Sequence, residues 1–292
     1  MKLRRALLYM PAHDLQKVQK ATTLGVDCIC MDLEDSVAPT RKQEARQTAL
    51  HALQTLDFSS AEKLVRVNPI DTKYFQEDIQ TVLLGRPHGI VLPKVHNADD
   101  VLKLEKQIVD FEKRHDRLTD SLSILAIIES PLGILNLRAI CQSSLRLSAL
   151  IFGAEDLAVT LGATRTHTNQ EVLFARSALV LHAAAFHLDA IDLVNNDYQN
   201  LEQLQQEAEQ GAQMGYSGKQ VIHPNQIDVV QKAFTPSPQK IAWAKEVVKN
   251  YEQQQQEGLG AIGVQGKLID MPVYLQAKKI ISRASAVTNK QA

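Results

Sequence analysis

Ile124-Leu125-Ala126-Ile127-Ile128-Glu129 is an unbroken apolar run that ends in a single acid. A strand with one face in water alternates apolar and polar residues, whereas a parallel strand covered on both faces is apolar throughout. The run therefore predicts a buried parallel strand. Ala149-Leu150-Ile151-Phe152-Gly153 follows it with the same character, after a helical stretch. A strand, a helix and a second strand in that order indicate a βα unit of a parallel sheet.

Short β-rich runs recur along the whole chain and mostly alternate with helical stretches. The predicted strands are Ala6–Met10, Cys28–Leu33, Leu64–Asn68, Gly89–Pro93, Ile124–Glu129, Ala149–Gly153, Ala190–Val194 and Gln220–Ile222. Eight parallel strands close a TIM (β/α)8 barrel, so we predict an α/β protein with such a barrel over residues 1–230. A doubly wound open sheet is the alternative. Against it, the first turn, Pro11-Ala12-His13-Asp14, lacks the glycine fingerprint of a dinucleotide site, and no P-loop sequence occurs.

Residues 231–292 are too many for one closing helix, and we predict that they form a C-terminal helical and hairpin extension. Residues 241–256 have the pattern of an amphipathic helix, and residues 257–263 are rich in glycine. We expect a strand and a turn over 264–272, and a last helix over 274–286.

The amino-acid composition argues against a nucleic-acid-binding or membrane-spanning protein. Of the 292 residues, 45% are hydrophobic and 22% are charged, and 32 Lys and Arg oppose 33 Asp and Glu. This balance argues against a broad basic surface for nucleic acid or anionic lipid. No run approaches the roughly 20 apolar residues of a membrane span. Cys28, Cys30 and Cys141 lack metal-ligand spacing and are expected to be reduced core thiols of a cytoplasmic protein.

Acidic residues follow two neighbouring predicted strands. Glu129 ends the fifth strand and Asp156 comes shortly after the sixth, so the barrel would bring both carboxylates to one rim. Magnesium prefers oxygen ligands and usually takes one or two protein carboxylates, with Mn²⁺ as an alternative ion. The competing interpretation is that both acids are helix N-caps or exposed loop residues.

Three other polar residues stand out within apolar surroundings. Arg66 lies inside a predicted strand, where it could bind an anionic substrate group or form an internal salt bridge to Glu34 or Asp35. His223 follows the eighth strand, where it could line a cofactor pocket or orient the loop. Asp270, in Leu268-Ile269-Asp270-Met271-Pro272, would be a turn former on the local pattern alone.

Several motifs together resemble the HpcH/HpaI aldolase and citrate lyase beta family, and they occur in the right order from about Arg5 to Ser285. The motifs are Tyr9-Met10-Pro11-Ala12, Met31-Asp32-Leu33-Glu34-Asp35-Ser36-Val37, Val65-Arg66-Val67-Asn68, Leu92-Pro93-Lys94-Val95, Ile128-Glu129-Ser130, Phe152-Gly153-Ala154-Glu155-Asp156-Leu157, Gly218 to Asn225 and Ile269-Asp270-Met271-Pro272. The resemblance is strongest to the citrate lyase beta-like members, which act on citramalyl-CoA or malyl-CoA.

The resemblance implies a TIM barrel whose C-terminal extension packs on a neighbouring subunit of a homotrimer or hexamer. Glu129 and Asp156 would hold Mg²⁺, and Arg66 and Glu129 would contact the substrate. Asp270 would complete the active site of the adjacent protomer as a catalytic residue.

Coenzyme A enters as part of the substrate, and the resemblance implies four residues for its binding. They are Tyr9, Lys20, Ile222 and His223. The sequence departs from the family pattern at Gln16, where relatives carry an additional lysine for the coenzyme.

The implied activity is a carbon–carbon lyase that cleaves (3S)-citramalyl-CoA to acetyl-CoA and pyruvate by retro-Claisen chemistry, with malyl-CoA as a further substrate. Arg66 would stabilise the enolate of acetyl-CoA and Asp270 would protonate it. Glu34, Asp35 and a metal-bound water are the candidates for accepting the hydroxyl proton. The alternatives are a citrate lyase beta subunit acting on citryl groups of an acyl carrier protein, a malyl-CoA thioesterase or malate synthase activity, and a non-catalytic acyl-CoA-binding barrel.

Overall fold

Eight parallel strands form a closed barrel. The computed structural model describes residues 2–115, 122–256, 262–264 and 267–291. The strands are β1 (Ala6–Pro11), β2 (Cys28–Asp32), β3 (Glu62–Arg66), β4 (Gly89–Leu92), β5 (Ser123–Ile128), β6 (Leu147–Phe152), β7 (Asp189–Asp192) and β8 (Gly218–Val221). Each strand pairs with the next, and β8 pairs with β1 to close the barrel. The predicted TIM barrel is confirmed.

All eight predicted strands overlap observed strands, with small shifts at their ends. β3 is shifted by two residues at both ends and begins at Glu62 rather than Leu64. Glu62 is buried, and Arg4 binds both of its carboxylate oxygens at 2.7 and 2.8 Å. A paired charge can lie inside a strand that the apolar pattern alone would begin later.

The helices surround the strands. They are α1 (Leu15–Thr22), α2 (Lys42–Thr55), α3 (Phe75–Leu84), α4 (Ala98–Arg114), α5 (Pro131–Leu135), α6 (Leu137–Cys141), α7 (Ala154–Leu161), α8 (Leu173–Ala185), α9 (Leu201–Met214) and α10 (Gln226–Ala233). Among the described residues, no helix combines the length and the apolar character that crossing a membrane requires.

The barrel interior is filled by apolar side chains. Its core includes Leu7, Cys28, Cys30, Leu64, Val91, Leu125, Ile127, Ala149, Ile151 and Ile191. Cys28 and Cys30 are free thiols in this core, and Cys141 is buried on α6. These positions agree with the expected reduced core thiols.

The seam between β8 and β1 depends on a glycine. A β-carbon at Gly218 would lie 1.8 Å from the backbone oxygen of Arg4. Any side chain there would force the two strands apart, so Gly218 permits the barrel to close.

Two compact units make up the chain: the barrel unit is Arg4–Gln231, and the second unit comprises Met1–Leu3 and Lys232–Ala292. It contains helices α11 (Pro238–Gln256) and α12 (Met271–Gln291) and the antiparallel hairpin β9 (Ile262–Val264) and β10 (Lys267–Ile269). Its core includes Ala244, Val247, Tyr251, Ile269 and Ala277.

The turn predicted at Met271 and Pro272 is wrong, because both residues lie in the first turn of α12. Proline is tolerated at a helix start, where its missing N–H would have no partner. Of the predicted glycine-rich hinge, residues 257–261 lie outside the described residues, and Ile262 and Gly263 belong to β9.

Candidate active site

The carboxyl ends of the barrel strands bring most of the predicted polar residues to one rim. Arg66 ends β3, and Glu129 directly follows β5. Asp156 lies in the first turn of α7, which follows β6. Neighbouring parallel strands end at the same rim, so β5 and β6 bring both acids to that rim, where the charge of Asp156 acts on Glu129.

Glu129 is held in one orientation and is only 7% exposed. The backbone N–H of Lys94 donates to Glu129 Oε1 at 2.7 Å. Gly153 lies on the other side of the Glu129 side chain. A β-carbon at Gly153 would lie 2.5 Å from Glu129 Cβ and 2.7 Å from Oε2, so the lack of a side chain there leaves room for Glu129. Ser130, not Glu129, caps α5 by accepting from the Gly133 N–H at 3.1 Å. The alternative interpretation of Glu129 as an N-cap is therefore wrong.

Lys94 has an unusual backbone conformation, with φ of 53°. A lysine in the left-handed region carries a conformational cost that other contacts must offset. This conformation accompanies the hydrogen bond from its N–H to Glu129, while its Nζ lies 3.2 Å from Glu34 Oε1. One residue thus contacts two acids of the rim.

Burial and neighbouring charges shift the pKa values of two acids of the rim, Glu129 and Glu34. Burial, with the charges of Asp156 and Glu34, raises the pKa of Glu129 to about 8. Burial also raises the pKa of Glu34, although the charge of Arg66 opposes this shift. A buried acid that meets two further acids is the environment that a divalent cation stabilises.

The donor set fits magnesium. In the described part of the chain, no group of three His, Cys, Asp or Glu side chains forms a complete metal site. Glu129 and Asp156 supply two carboxylates, which is the usual protein share for Mg²⁺, and water or substrate oxygens fill the remaining positions.

The Arg66 guanidinium is held by contacts with three side chains. Its Nε and Nη2 both donate to Asp32 at 2.7 Å, and its Nη1 lies 3.2 Å from Glu34 Oε2. The guanidinium carbon lies 4.9 Å from the centroid of the Tyr9 ring. The salt bridge predicted to Glu34 is present, whereas Asp35 is exposed and Asp32 is the principal partner.

Asp32 was not among the residues predicted from sequence. It is 1% exposed. Burial opposes its ionised form, yet the hydrogen bonds and charge of Arg66 lower the pKa of Asp32 overall. The signal available in the sequence was an acid within one apolar run and an arginine within the next, which the strand register places opposite each other.

Lys42 supports the loop that carries Glu34. Its buried ammonium donates at 2.7 Å to the backbone oxygens of Leu33 and Glu34 and to Asn68 Oδ1. Three strong acceptors on one donor restrain the chain directly after β2. Lys42, on α2, therefore fixes the backbone position of Glu34.

Buried polar atoms without a hydrogen bond mark the same rim. Among the described residues they are Tyr9 Oη, His13 Nδ1, Glu34 Oε1 and Asn195 Oδ1. Tyr9 belongs to β1, and the other three closely follow β1, β2 and β7. A buried polar atom without a hydrogen bond is costly, so Tyr9 Oη, His13 Nδ1 and Asn195 Oδ1 are suited to meet ligand or water, whereas Glu34 Oε1 has the Lys94 ammonium 3.2 Å away.

The residues predicted for coenzyme A lie on different elements. Lys20 is exposed in the last turn of α1, and Ile222 is 40% exposed directly after β8. His223 stacks on Tyr198 with ring centroids 4.7 Å apart. Tyr9 differs from these, because its ring packs against the barrel core beside Arg66.

Asp270 belongs to the second compact unit. It directly precedes α12, and its Oδ1 accepts from the Val273 N–H at 3.3 Å. Its backbone oxygen accepts from the Tyr274 N–H at 3.0 Å. It is therefore placed at a helix start instead of the turn that the local sequence predicts.

Known proteins resemble the chain over nearly its whole length. Residues 5–224 match the HpcH/HpaI aldolase/citrate lyase family. The mitochondrial citramalyl-CoA lyase of Homo sapiens is 38% identical over 98% of this chain and 87% of that protein. The citrate lyase subunit beta of Escherichia coli strain K12 is 37% identical over 96% of this chain and 93% of that protein.

A solved structure gives the same result. CitE of Mycobacterium tuberculosis, in complex with magnesium, acetoacetate and coenzyme A, has a TM-score of 0.81 and 29% identity to this chain. The similarity covers 97% of this chain and 98% of that one, so it includes the barrel and the C-terminal unit.

Proposed function

This chain belongs to the HpcH/HpaI aldolase/citrate lyase family, and from that premise we propose that it is a magnesium-dependent citramalyl-CoA lyase. The reaction cleaves citramalyl-CoA to acetyl-CoA and pyruvate, and malyl-CoA is the second substrate to test. The observation that carries the proposal is the acid pair of buried Glu129 and half-buried Asp156, presented on the same rim as a fixed arginine.

The metal site is the first part of this proposal. Glu129 and Asp156 would hold the ion through their carboxylates, and the backbone N–H of Lys94 orients the Glu129 carboxylate by donating to Oε1. When bound, magnesium supplies a Lewis acid beside the hydroxyl and carboxylate oxygens of the substrate.

The protein groups then transfer two protons, one from the substrate to Glu34 and one from Asp270 to the product, and stabilise one negative charge. Glu34 accepts the hydroxyl proton of the citramalyl group. The adjacent carbon–carbon bond breaks, its electron pair passes to the thioester as an enolate, and pyruvate forms. Arg66 donates hydrogen bonds to the enolate oxygen, and Asp270 delivers a proton to the enolate carbon to give acetyl-CoA.

Glu34 is the better candidate than Asp35 for the proton acceptor. Glu34 is 3% exposed and lies beside Arg66 and Lys94, whereas Asp35 is exposed. Burial raises the pKa of Glu34, which strengthens it as a base while the two neighbouring cations favour its ionised form.

Asp270 reaches the chemistry from a second copy of the chain in this proposal, within a homotrimer or hexamer. An exposed apolar surface on α5, α7 and α8 supports assembly. It contains Leu132, Leu135, Val159, Leu161, Phe174 and Leu181, each of which is at least 51% exposed. Large apolar patches of this kind usually mark interaction sites.

Coenzyme A binding uses Lys20, Ile222 and His223 in this proposal. Lys20 offers an exposed cation for phosphate, and the loop after β8 is where barrel enzymes often bind phosphate-containing ligands. The buried hydroxyl of Tyr9 beside Arg66 favours contact with the acyl end of the thioester.

The test is an assay of the purified chain with citramalyl-CoA and malyl-CoA. We expect equal amounts of acetyl-CoA and keto acid with Mg²⁺, loss of turnover after chelation, and recovery when Mg²⁺ is restored. Asp156→Asn should reduce turnover by at least about 100-fold. Asp99→Asn is the matched control, because Asp99 is an exposed acid in the first turn of α4. Turnover that persists without metal would contradict the proposal.

The 37% identity to a citrate lyase subunit beta supports a second candidate, cleavage of a citryl thioester. Presenting citryl groups on coenzyme A and on an acyl carrier protein would separate the two functions. Faster cleavage of the carrier-bound citryl group than of free citramalyl-CoA would favour the second candidate.

A further inference from the structure

Strand β2 has a buried aspartate at each end. Asp27 directly precedes the strand and Asp32 is its last residue, and each is 1% exposed. Each binds an arginine through two parallel hydrogen bonds. Asp27 meets Arg5 at the amino end of the barrel, and Asp32 meets Arg66 at the rim that carries Glu129.

The two pairs are closely matched in geometry. Arg5 donates from Nε and Nη2 to Asp27 at 2.8 and 2.9 Å, and the Arg5 backbone N–H adds a third bond at 2.9 Å. Arg66 donates to Asp32 at 2.7 Å from the same two nitrogens. The two pairs lie at opposite ends of the barrel. The Asp27–Arg5 pair is therefore a matched control for the Asp32–Arg66 pair.

Asp32 is itself immobilised. Its Oδ1 accepts from the Glu34 N–H at 2.8 Å and its Oδ2 accepts from the Ser36 N–H at 3.0 Å. These bonds fix the carboxylate to the start of the loop that carries Glu34. Four hydrogen bonds on a carboxylate at 1% exposure leave it little freedom to rotate.

The fixed carboxylate determines which edge of Arg66 is available. Asp32 takes one N–H from Nε and one from Nη2, and the Tyr9 ring covers a face of the guanidinium. Nη1 lies 3.2 Å from Glu34 Oε2. Among the described residues, Glu34 is the partner of Nη1, and one carboxylate oxygen at this distance leaves donor capacity of Nη1 for a ligand.

We propose that Asp32 is a positioning residue that fixes Arg66 so that Nη1 points at the oxygen that becomes negative during cleavage. The inference rests on the proposed function, in which Arg66 contacts the substrate. A donor already aimed at the developing charge needs no reorganisation during the reaction, which is the source of most electrostatic catalysis.

The first experiment compares Asp32→Asn with Asp27→Asn. Both variants replace one carboxylate of a buried bidentate pair, so both should lower the thermal midpoint to a similar extent. Only Asp32→Asn should lower kcat, by about 100-fold, with KM changed by less than about threefold. Equal kcat in the two variants would overturn the proposal.

Asp32→Glu separates position from charge. The longer side chain keeps the negative charge but shifts the guanidinium by about one bond length, and displacements near 1 Å can cost about 100-fold in rate. We expect the thermal midpoint to recover toward wild type while kcat stays low. Full recovery of kcat would mean that charge neutralisation alone is required.

A double-mutant cycle tests whether Asp32 acts through Arg66. Arg66→Lys removes the planar donor, and adding Asp32→Asn to it should then cost less than about threefold in kcat. A further loss of about 100-fold in the double variant would show that the two residues act independently.

A readout without turnover keeps the inference distinct from the proposed function. Arginine-selective ¹⁵N spectra should show a resolved Arg66 Nε–H signal, assigned with Arg66→Lys, that disappears in Asp32→Asn and persists in Asp27→Asn. The Arg5 signal should behave in the opposite way. An unchanged Arg66 signal in Asp32→Asn would overturn the positioning role. A correct signal pattern in a chain without lyase activity would instead reject the proposed function.

Discussion

Glu129 links metal binding to pH at the scale of a single residue. Burial and the charges of Asp156 and Glu34 raise its pKa from 4.5 to about 8. Between these values the folded chain binds more protons than the unfolded chain, so the free energy of unfolding decreases as pH rises through this window. Magnesium binds the carboxylate form, and it should reverse this loss.

We therefore expect the thermal midpoint of the metal-free protein to fall between pH 6 and pH 9, and the stabilisation by a fixed Mg²⁺ concentration to grow over the same range. Differential scanning fluorimetry with and without Mg²⁺ measures both effects. Glu129→Gln is the control, because it cannot titrate and should show a small, pH-independent response. A wild-type response to Mg²⁺ that is the same at pH 6 and pH 9 would contradict this account.

At the scale of elements, the close approach of β5 and β6 makes the metal site possible. Glu129 follows β5 and Gly153 follows β6, and a β-carbon at Gly153 would lie 2.5 Å from Glu129 Cβ. Since Gly153 N–H also donates to the Ile128 backbone oxygen at 3.0 Å, the two chains cannot separate easily. A side chain at this position must displace Glu129.

Gly153→Ala should therefore weaken Mg²⁺ binding by at least about tenfold and destabilise the protein by about 1–3 kcal/mol. Isothermal titration with Mg²⁺ and thermal unfolding measure the two effects. Gly263→Ala is the matched control, because a β-carbon at Gly263 would meet nothing within 4 Å. Unchanged Mg²⁺ affinity in Gly153→Ala would show that Glu129 can move without consequence.

The elements also explain which features could be predicted from the sequence. All eight strands could be, since parallel strands covered on both faces are apolar runs, and the acids after β5 and β6 stand out at the ends of such runs. Asp32 and Lys94 could not be assigned roles, because these come from contacts between strands. Asp32 faces Arg66 across β2 and β3, and the Lys94 amide reaches Glu129 from the end of β4.

At the scale of the whole molecule, the chain consists of two compact units with separate cores. The barrel carries Glu129, Asp156 and Arg66, whereas Asp270 belongs to the C-terminal unit. A reaction that needs all four residues requires a barrel unit and a C-terminal unit to form one active site. Our proposal assigns this to assembly, in which the C-terminal unit of one copy serves the barrel of another.

Mixed oligomers test that assignment directly. Asp270→Asn and Arg66→Lys should each be nearly inactive as pure proteins. If a site takes Arg66 from one copy and Asp270 from another, equal mixing should restore roughly a quarter of wild-type activity, because that share of sites receives two intact residues. If both residues come from the same copy, every site keeps one defect and mixing restores nothing. Differently tagged chains, co-purified through both tags, establish that mixing has occurred. Inactivity of such mixed oligomers, or full activity of a wild-type monomer, would contradict a shared site.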